Sequence, residues 1–127
     1  MSNKKIAILG AGSSVAKAIQ QESPDNYKID LFYRKDLDIT DLSVLKEKFK
    51  DKHYDIVINC AMSGSGRVYA EDSAQNFYEN IIMQENLFFL KDHYTNLIIF
   101  SSGAQNSRKI NVVDFKEEQF NEPVSNF

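Results

Sequence analysis

Lys4-Lys5-Ile6-Ala7-Ile8-Leu9-Gly10-Ala11-Gly12-Ser13-Ser14-Val15-Ala16 decides the fold. Ile6 to Leu9 is a short apolar run with a charged lead-in, the composition of a strand buried on both faces of a parallel sheet. Two glycines follow at once, and Val15, Ala16 and Ile19 then recur at helical spacing. Strand, glycine turn and helix in immediate succession are what a dinucleotide site requires. The glycines admit the backbone close to a pyrophosphate, and the free N–H groups and dipole of the helix N-terminus hold its charge. The later positions carry Ser13 and Ala16 rather than a third glycine. The same turn also serves as a plain tight connection, for which glycine is equally suited.

Outward from this turn, strand and helix signals alternate. Tyr27 to Tyr33 reads as a second strand, Thr40-Asp41 as the N-cap of a helix through Leu42, Leu45 and Phe49, and Asp55 to Asn59 as a third, nearly all-apolar strand. Gly64 and Gly66 mark a loop, a long helix runs from Ser73 to about Lys91, and Asn96 to Phe100 is a fourth strand. Ala74, Phe77, Tyr78, Ile81, Ile82, Leu87, Phe88 and Leu90 form an apolar stripe on that helix, most of which core packing accounts for. The alternation predicts an α/β fold, a Rossmann-like doubly wound parallel sheet of about four strands in the order 3-2-1-4.

With 127 residues and 43% hydrophobic content, the chain makes one domain, residues 1–127, with a real core. A net charge of -3 argues against nucleic acid as the main partner. The single cysteine excludes a disulfide framework and fits a reducing cytoplasm. No run approaches a membrane span and no signal peptide is read, so the expected location is cytoplasmic. His53 and His93 have no ligand-like spacing to Cys or carboxylates; they read as solvated, and no metal site is expected. Cys60, alone in an apolar strand, reads as a small core residue rather than a reactive thiol.

Taken in order, the segments Gly10 to Ala16, Asp55-Ile-Val-Ile-Asn-Cys-Ala61, Asn80-Ile-Ile-Met-Gln-Glu-Asn86-Leu-Phe and Ile98-Ile-Phe-Ser-Ser102 resemble successive motifs of the extended short-chain dehydrogenase/reductases, the NAD-dependent epimerase/dehydratase group. Arg34 to Asp41 and Phe77 to Asn80 look most like the GDP-fucose synthase and dTDP-4-dehydrorhamnose reductase branches. The resemblance covers residues 4 to about 105. It implies that Gly10, Gly12 and the N–H groups around Ser13, Ser14 and Val15 hold a cofactor pyrophosphate. It also implies that Arg34 contacts the 2'-phosphate of NADP, with NAD as the other possible cofactor. The backbone at Cys60, Ala61 and Met62 would line the ribose. Asp41 or Asp38 sits near the adenine, or both cap the next helix. Asn80 ties the sheet to the long helix.

By the same resemblance Ser102 is the catalytic Ser that hydrogen-bonds the reacting carbonyl, with Ser101 as its neighbour. The partner groups in that mechanism are a Tyr and a Lys four residues later, since a phenol with pKa near ~10 is a poor base at neutral pH until a cation stabilises its charge. Tyr-x-x-x-Lys is absent from these 127 residues, and Gln105-Asn106-Ser107 stands where the family has Val-Tyr-Gly. The expectation is therefore the NAD(P)-binding portion of an enzyme acting on a nucleotide-linked sugar, truncated before the fifth strand, with 106–127 an irregular tail. It is expected to be inactive alone, and to form a homodimer or self-associate. Two other readings stay open: a non-catalytic nucleotide-binding or regulatory module, and a structural fragment that pairs with a partner.

Overall fold

A computed structural model describes residues 3–64 and 74–100. The start of the long helix at Ser73, Gly66, Ser101, Ser102 and the whole 106–127 tail fall outside the described residues.

Four parallel strands form the sheet: β1 (Lys5–Leu9), β2 (Lys28–Phe32), β3 (Tyr54–Asn59) and β4 (Tyr94–Ile99). Three helices connect them, α1 (Ser14–Glu22), α2 (Leu42–Phe49) and α3 (Ala74–Phe89), and a 3-10 turn at Lys91–His93 leads into β4. The first two helices start where the sequence offers a cap. Ser13 Oγ accepts from Ala16 N at 3.2 Å, and Asp41 Oδ1 accepts from Ser43 N and Val44 N at 2.8 and 3.2 Å.

The strand order is β2-β1-β3-β4, which corrects the expected 3-2-1-4. The third strand does not extend the sheet beyond the second but returns to the other edge of β1, with Ile6 opposite Ile56 and Leu9 opposite Asn59. Composition explains this. β2 carries Lys28 and Asp30 and is only partly buried until Phe32, as befits an edge. β3 contributes Tyr54, Val57 and Ile58 to the interior and takes a central position between β1 and β4.

Alternation along β1 divides the core in two. Ala7 and Leu9 face α2 and α3, packing with Leu45, Phe49, Tyr54, Val57, Met83, Leu87 and Leu90. Ile6 and Ile8 face α1, against Ala16, Ile19 and Ile58. Tyr54 is fully buried, its ring 5.4 Å from that of Phe49, and its hydroxyl donates to Asp30 Oδ2 at 2.8 Å. Burial first, then the acceptor Asp30, pushes this phenol far above the ordinary tyrosine range.

The long helix buries less of its stripe than expected. Of its apolar stripe only Leu87 and, just past the helix end, Leu90 are buried, joined by Met83 and Asn86. Phe77 is 72% exposed, and Tyr78, Ile81, Phe88 and Phe89 are exposed beside it. The stripe is wider than the sheet beneath it, so core packing uses one side and leaves the other uncovered. His53 is exposed as expected, whereas His93 is half-buried, and both make hydrogen-bond contacts. His53 Nε2 lies 3.1 Å from Thr95 Oγ1, and His93 Nδ1 lies 3.1 Å from the Lys52 carbonyl, joining the chain ahead of β3 to the start of β4 and the turn before it.

Candidate cofactor site

The chain leaves β1 for β2 on one side and β3 on the other, so the ends of β1 and β3 open a crevice at the carboxyl edge. Gly10 turns the chain there with φ +70°, and Cys60 N donates to Leu9 O at 2.9 Å. A Cβ on Gly10 would meet the Ala61 nitrogen at 2.6 Å, so this glycine is demanded by the packing of two backbones. Gly12 differs. It is exposed, and a Cβ there would meet nothing nearer than Tyr33 Cδ1 at 3.9 Å.

Beyond Gly12 the backbone presents donors. Ser13 N is used by Gly10 O and Ala11 N by Phe32 O, whereas the N–H groups of Gly12, Ser14 and Val15 have no acceptor among the described residues. Three free donors at the start of a nine-residue helix form an anion cradle.

A cavity of about 490 Å³ lies over this cradle. Gly10, Gly12, Ser13, Arg34, Cys60, Ala61 and Met62 all line it. Ser14 and Val15 belong to the first turn of α1 and are not in the lining, and Asp41 is not either, its carboxylate being held by Ser43 and Val44. Those bonds, the Ser43 hydroxyl foremost, hold Asp41 below the usual carboxylate range. The acid that does reach the cavity is Asp38, whose Oδ1 accepts from Thr40 N at 2.9 Å.

Sequence reasoning did not single out Tyr33, Lys35, Leu37, Ile39, Thr40, Ser63, Glu79 and Met83, which complete the lining. The loop carrying the first five is shaped by its own hydrogen bonds. Tyr33 O accepts from Asp36 N and Leu37 N, and the buried Asn86 of α3 donates its Nδ2 to Ile39 O at 3.0 Å. A second set of bonds fixes the chain after β3. Asn80 accepts from Ser63 N and donates to Ser63 O, both at 2.9 Å, while the Ser63 hydroxyl donates to Glu79. Ser63 and Glu79 are recognisable only once α3 is laid against this turn, because 16 residues separate them.

Cys60 is half-buried, and burial pushes its thiol up despite a hydrogen bond with Ser13; it is not an activated nucleophile. Among the described residues no group of His, Cys, Asp and Glu is arranged to hold a metal ion, and no helix is long and apolar enough to cross a membrane.

The cradle, the Arg34 and Lys35 cations and the crevice beside β1 together form a site with the charge and shape to receive an anionic ligand. Residues 6–125 match the NAD dependent epimerase/dehydratase family. The chain belongs to that family. Among solved structures this family member is similar to a GDP-D-glycero-L-gluco-heptose synthase from Campylobacter jejuni in the presence of NADPH, at 26% identity and TM-score 0.73, covering 94% of this chain and 36% of that one. A GDP-mannoheptose C4 reductase from the same organism, with NADP bound, aligns at 24% identity and TM-score 0.74 over 94% and 40%. A GDP-L-fucose synthetase from Naegleria fowleri bound to NADP aligns at 21% and 0.69 over 97% and 38%. The chain thus spans about two fifths of the length of these neighbours. No curated protein sequence matches it.

Proposed function

We propose that this chain is the cofactor-binding portion of an NADP-dependent oxidoreductase or epimerase acting on a nucleotide-linked sugar. The observation that carries the reading is the single cavity in which the glycine cradle and the Arg34-Lys35 pair meet. On this reading the N–H groups at Gly12, Ser14 and Val15 hold the pyrophosphate. Asp38, Leu37 and Ile39 flank the adenine, and Ala61 and Met62 lie along the ribose. Arg34 grips the 2'-phosphate, for which a planar guanidinium and a charge-assisted bond contribute about 1.5–3 kcal/mol. The bound nicotinamide supplies the hydride chemistry.

NADPH and NADH titrations of the purified chain test this. NADPH should bind more tightly, and Arg34→Ala should weaken it about tenfold or more while leaving NADH nearly unchanged. Equal affinities in parent and variant would remove the support for NADP. Because Tyr-x-x-x-Lys is missing from these residues, binding without turnover of GDP- or dTDP-linked keto sugars is expected. The exposed face of α3 favours association with a second copy of the chain.

A further inference from the structure

Where α3 forms the wall of the cavity, it carries a carboxylate that a phosphate site has no need of. Glu79 lines the same cavity as Arg34 and Lys35. It is not a loose surface acid. Ser63 donates its hydroxyl to Glu79 Oε2, and Gln75 Nε2 donates to Oε1 at 3.1 Å, so both oxygens are held from their own side. These two bonds, and then the Arg34 charge, keep Glu79 below the usual carboxylate range, and it is ionised throughout the neutral region. Ser63 is itself fixed by both hydrogen bonds to Asn80. The negative charge is therefore set at a fixed point of the cavity, in the field of Arg34.

We propose that Glu79 is a specificity-determining residue of the cofactor cavity, which reduces the preference for NADPH over NADH by opposing the 2'-phosphate and competing for Arg34. The inference rests on the cavity being an NAD(P) site. The physical reason is a difference of charge. NADPH brings a phosphate monoester of about -1.5 to -2 to the Arg34 side of the cavity, and NADH brings two hydroxyls there. The pyrophosphate is common to both, so its interaction with Glu79 cancels in the ratio of the two affinities. What remains is repulsion between a fixed carboxylate and a phosphate held on the Arg34 side of the same cavity, together with the part of the Arg34 attraction already engaged by Glu79. Asp38 lies on the same loop as Arg34 and adds to the negative field, but its Oδ1 is turned to Thr40.

The test is the ratio of NADH to NADPH dissociation constants in the parent, Glu79→Gln, Glu79→Ala and Glu79→Asp, by titration calorimetry at low and at high salt, with thermal melts as a check on folding. Removing the charge should raise the ratio about three- to tenfold, through tighter NADPH with NADH moved less than about twofold, and the gain should shrink in 1 M salt, where screening acts within about 3 Å. Glu79→Asp keeps the charge and should stay near the parental ratio. A purely structural role, acting through the Ser63 bond, would weaken both cofactors together. That result, or an unchanged ratio in both Glu79→Gln and Glu79→Ala, overturns the inference while leaving the parent's NADPH binding intact. A parent that binds neither cofactor would instead overturn the reading of the cavity on which it rests.

Discussion

Gly10 lies so close to Ala61 that a methyl group on it would stand 2.6 Å from the Ala61 nitrogen and 2.7 Å from its Cα. Both obstacles are backbone atoms at the junction of β1 and β3, so neither can rotate away. Gly12, two residues on, meets only the edge of a tyrosine ring.

The two glycines should therefore fail differently. Gly10→Ala places a β-carbon at φ +70° against fixed backbone and should destabilise the fold by about 2–4 kcal/mol. Gly12→Ala should leave stability within about 0.5 kcal/mol, yet weaken NADPH about tenfold or more, since its methyl group occupies the cradle. Thermal melts and cofactor titrations of the two variants separate these effects; a Gly12→Ala chain that binds as the parent does would place the pyrophosphate elsewhere.

Tyr54→Phe removes the hydroxyl bonded to Asp30 and should cost about 1–2 kcal/mol. The pH dependence follows from the raised phenol. A tyrosine whose folded pKa exceeds the unfolded value of about 10 contributes stability that is complete below pH 10 and is lost as pH climbs toward the folded value. Denaturant midpoints of the parent should accordingly fall above pH 10, and fall less in Tyr54→Phe. Parallel decline in the two proteins would show that another group sets the alkaline limit.

At the acid end the corresponding group is Asp41. Its carboxylate caps α2 and titrates below 3.8, so its contribution is complete above that pH and disappears as pH falls through the folded value. Asp41→Asn keeps a capping acceptor without the charge, and its loss of stability between pH 4.5 and pH 2.5, an interval of about the width over which such a group titrates, should be shallower than the parent's. Urea midpoints across that range decide the matter, identical slopes counting against the assignment.

On the outer face of α3, Ile81→Glu combined with Phe88→Glu alters two side chains that are already 51% and 57% exposed. The folded chain should tolerate both, and its association should weaken markedly. Sedimentation of parent and variant over micromolar concentrations gives the answer, and a parent that is monomeric throughout would dispose of the self-association proposal.

Much of this architecture is legible in residue order. The run Ile6 to Leu9 with its glycine turn, the Ser13 and Asp41 caps and the apolar Ile56 to Ile58 segment each carry a local signal that tertiary contacts then reinforce. Strand order was misread because nothing local in Asp55 to Asn59 states which edge of β1 it will occupy; that depends on the relative burial of β2 and β3. How much of α3 stays exposed was legible only in part, for a related reason. Periodicity gives the width of an apolar stripe but not the width of the sheet under it. For the site, glycines and Arg34 announce themselves by type and position, whereas Ser63 and Glu79 become visible only through a contact between two distant segments.

The reach of β1 across the chain has a consequence for synthesis. Lys5 N bonds Asp55 Oδ2 across 50 residues, and the Gly10 turn leans on Cys60 and Ala61. An emerging polypeptide can assemble β1 beside β2 as soon as Phe32 is available, but the glycine cradle has no second wall until Ala61 has left the ribosome. At elongation rates of about 5–20 residues per second, that interval lasts seconds. During it the apolar edge of β1 stands open, and the nascent chain is most vulnerable to mispairing before it has anything with which to bind a nucleotide.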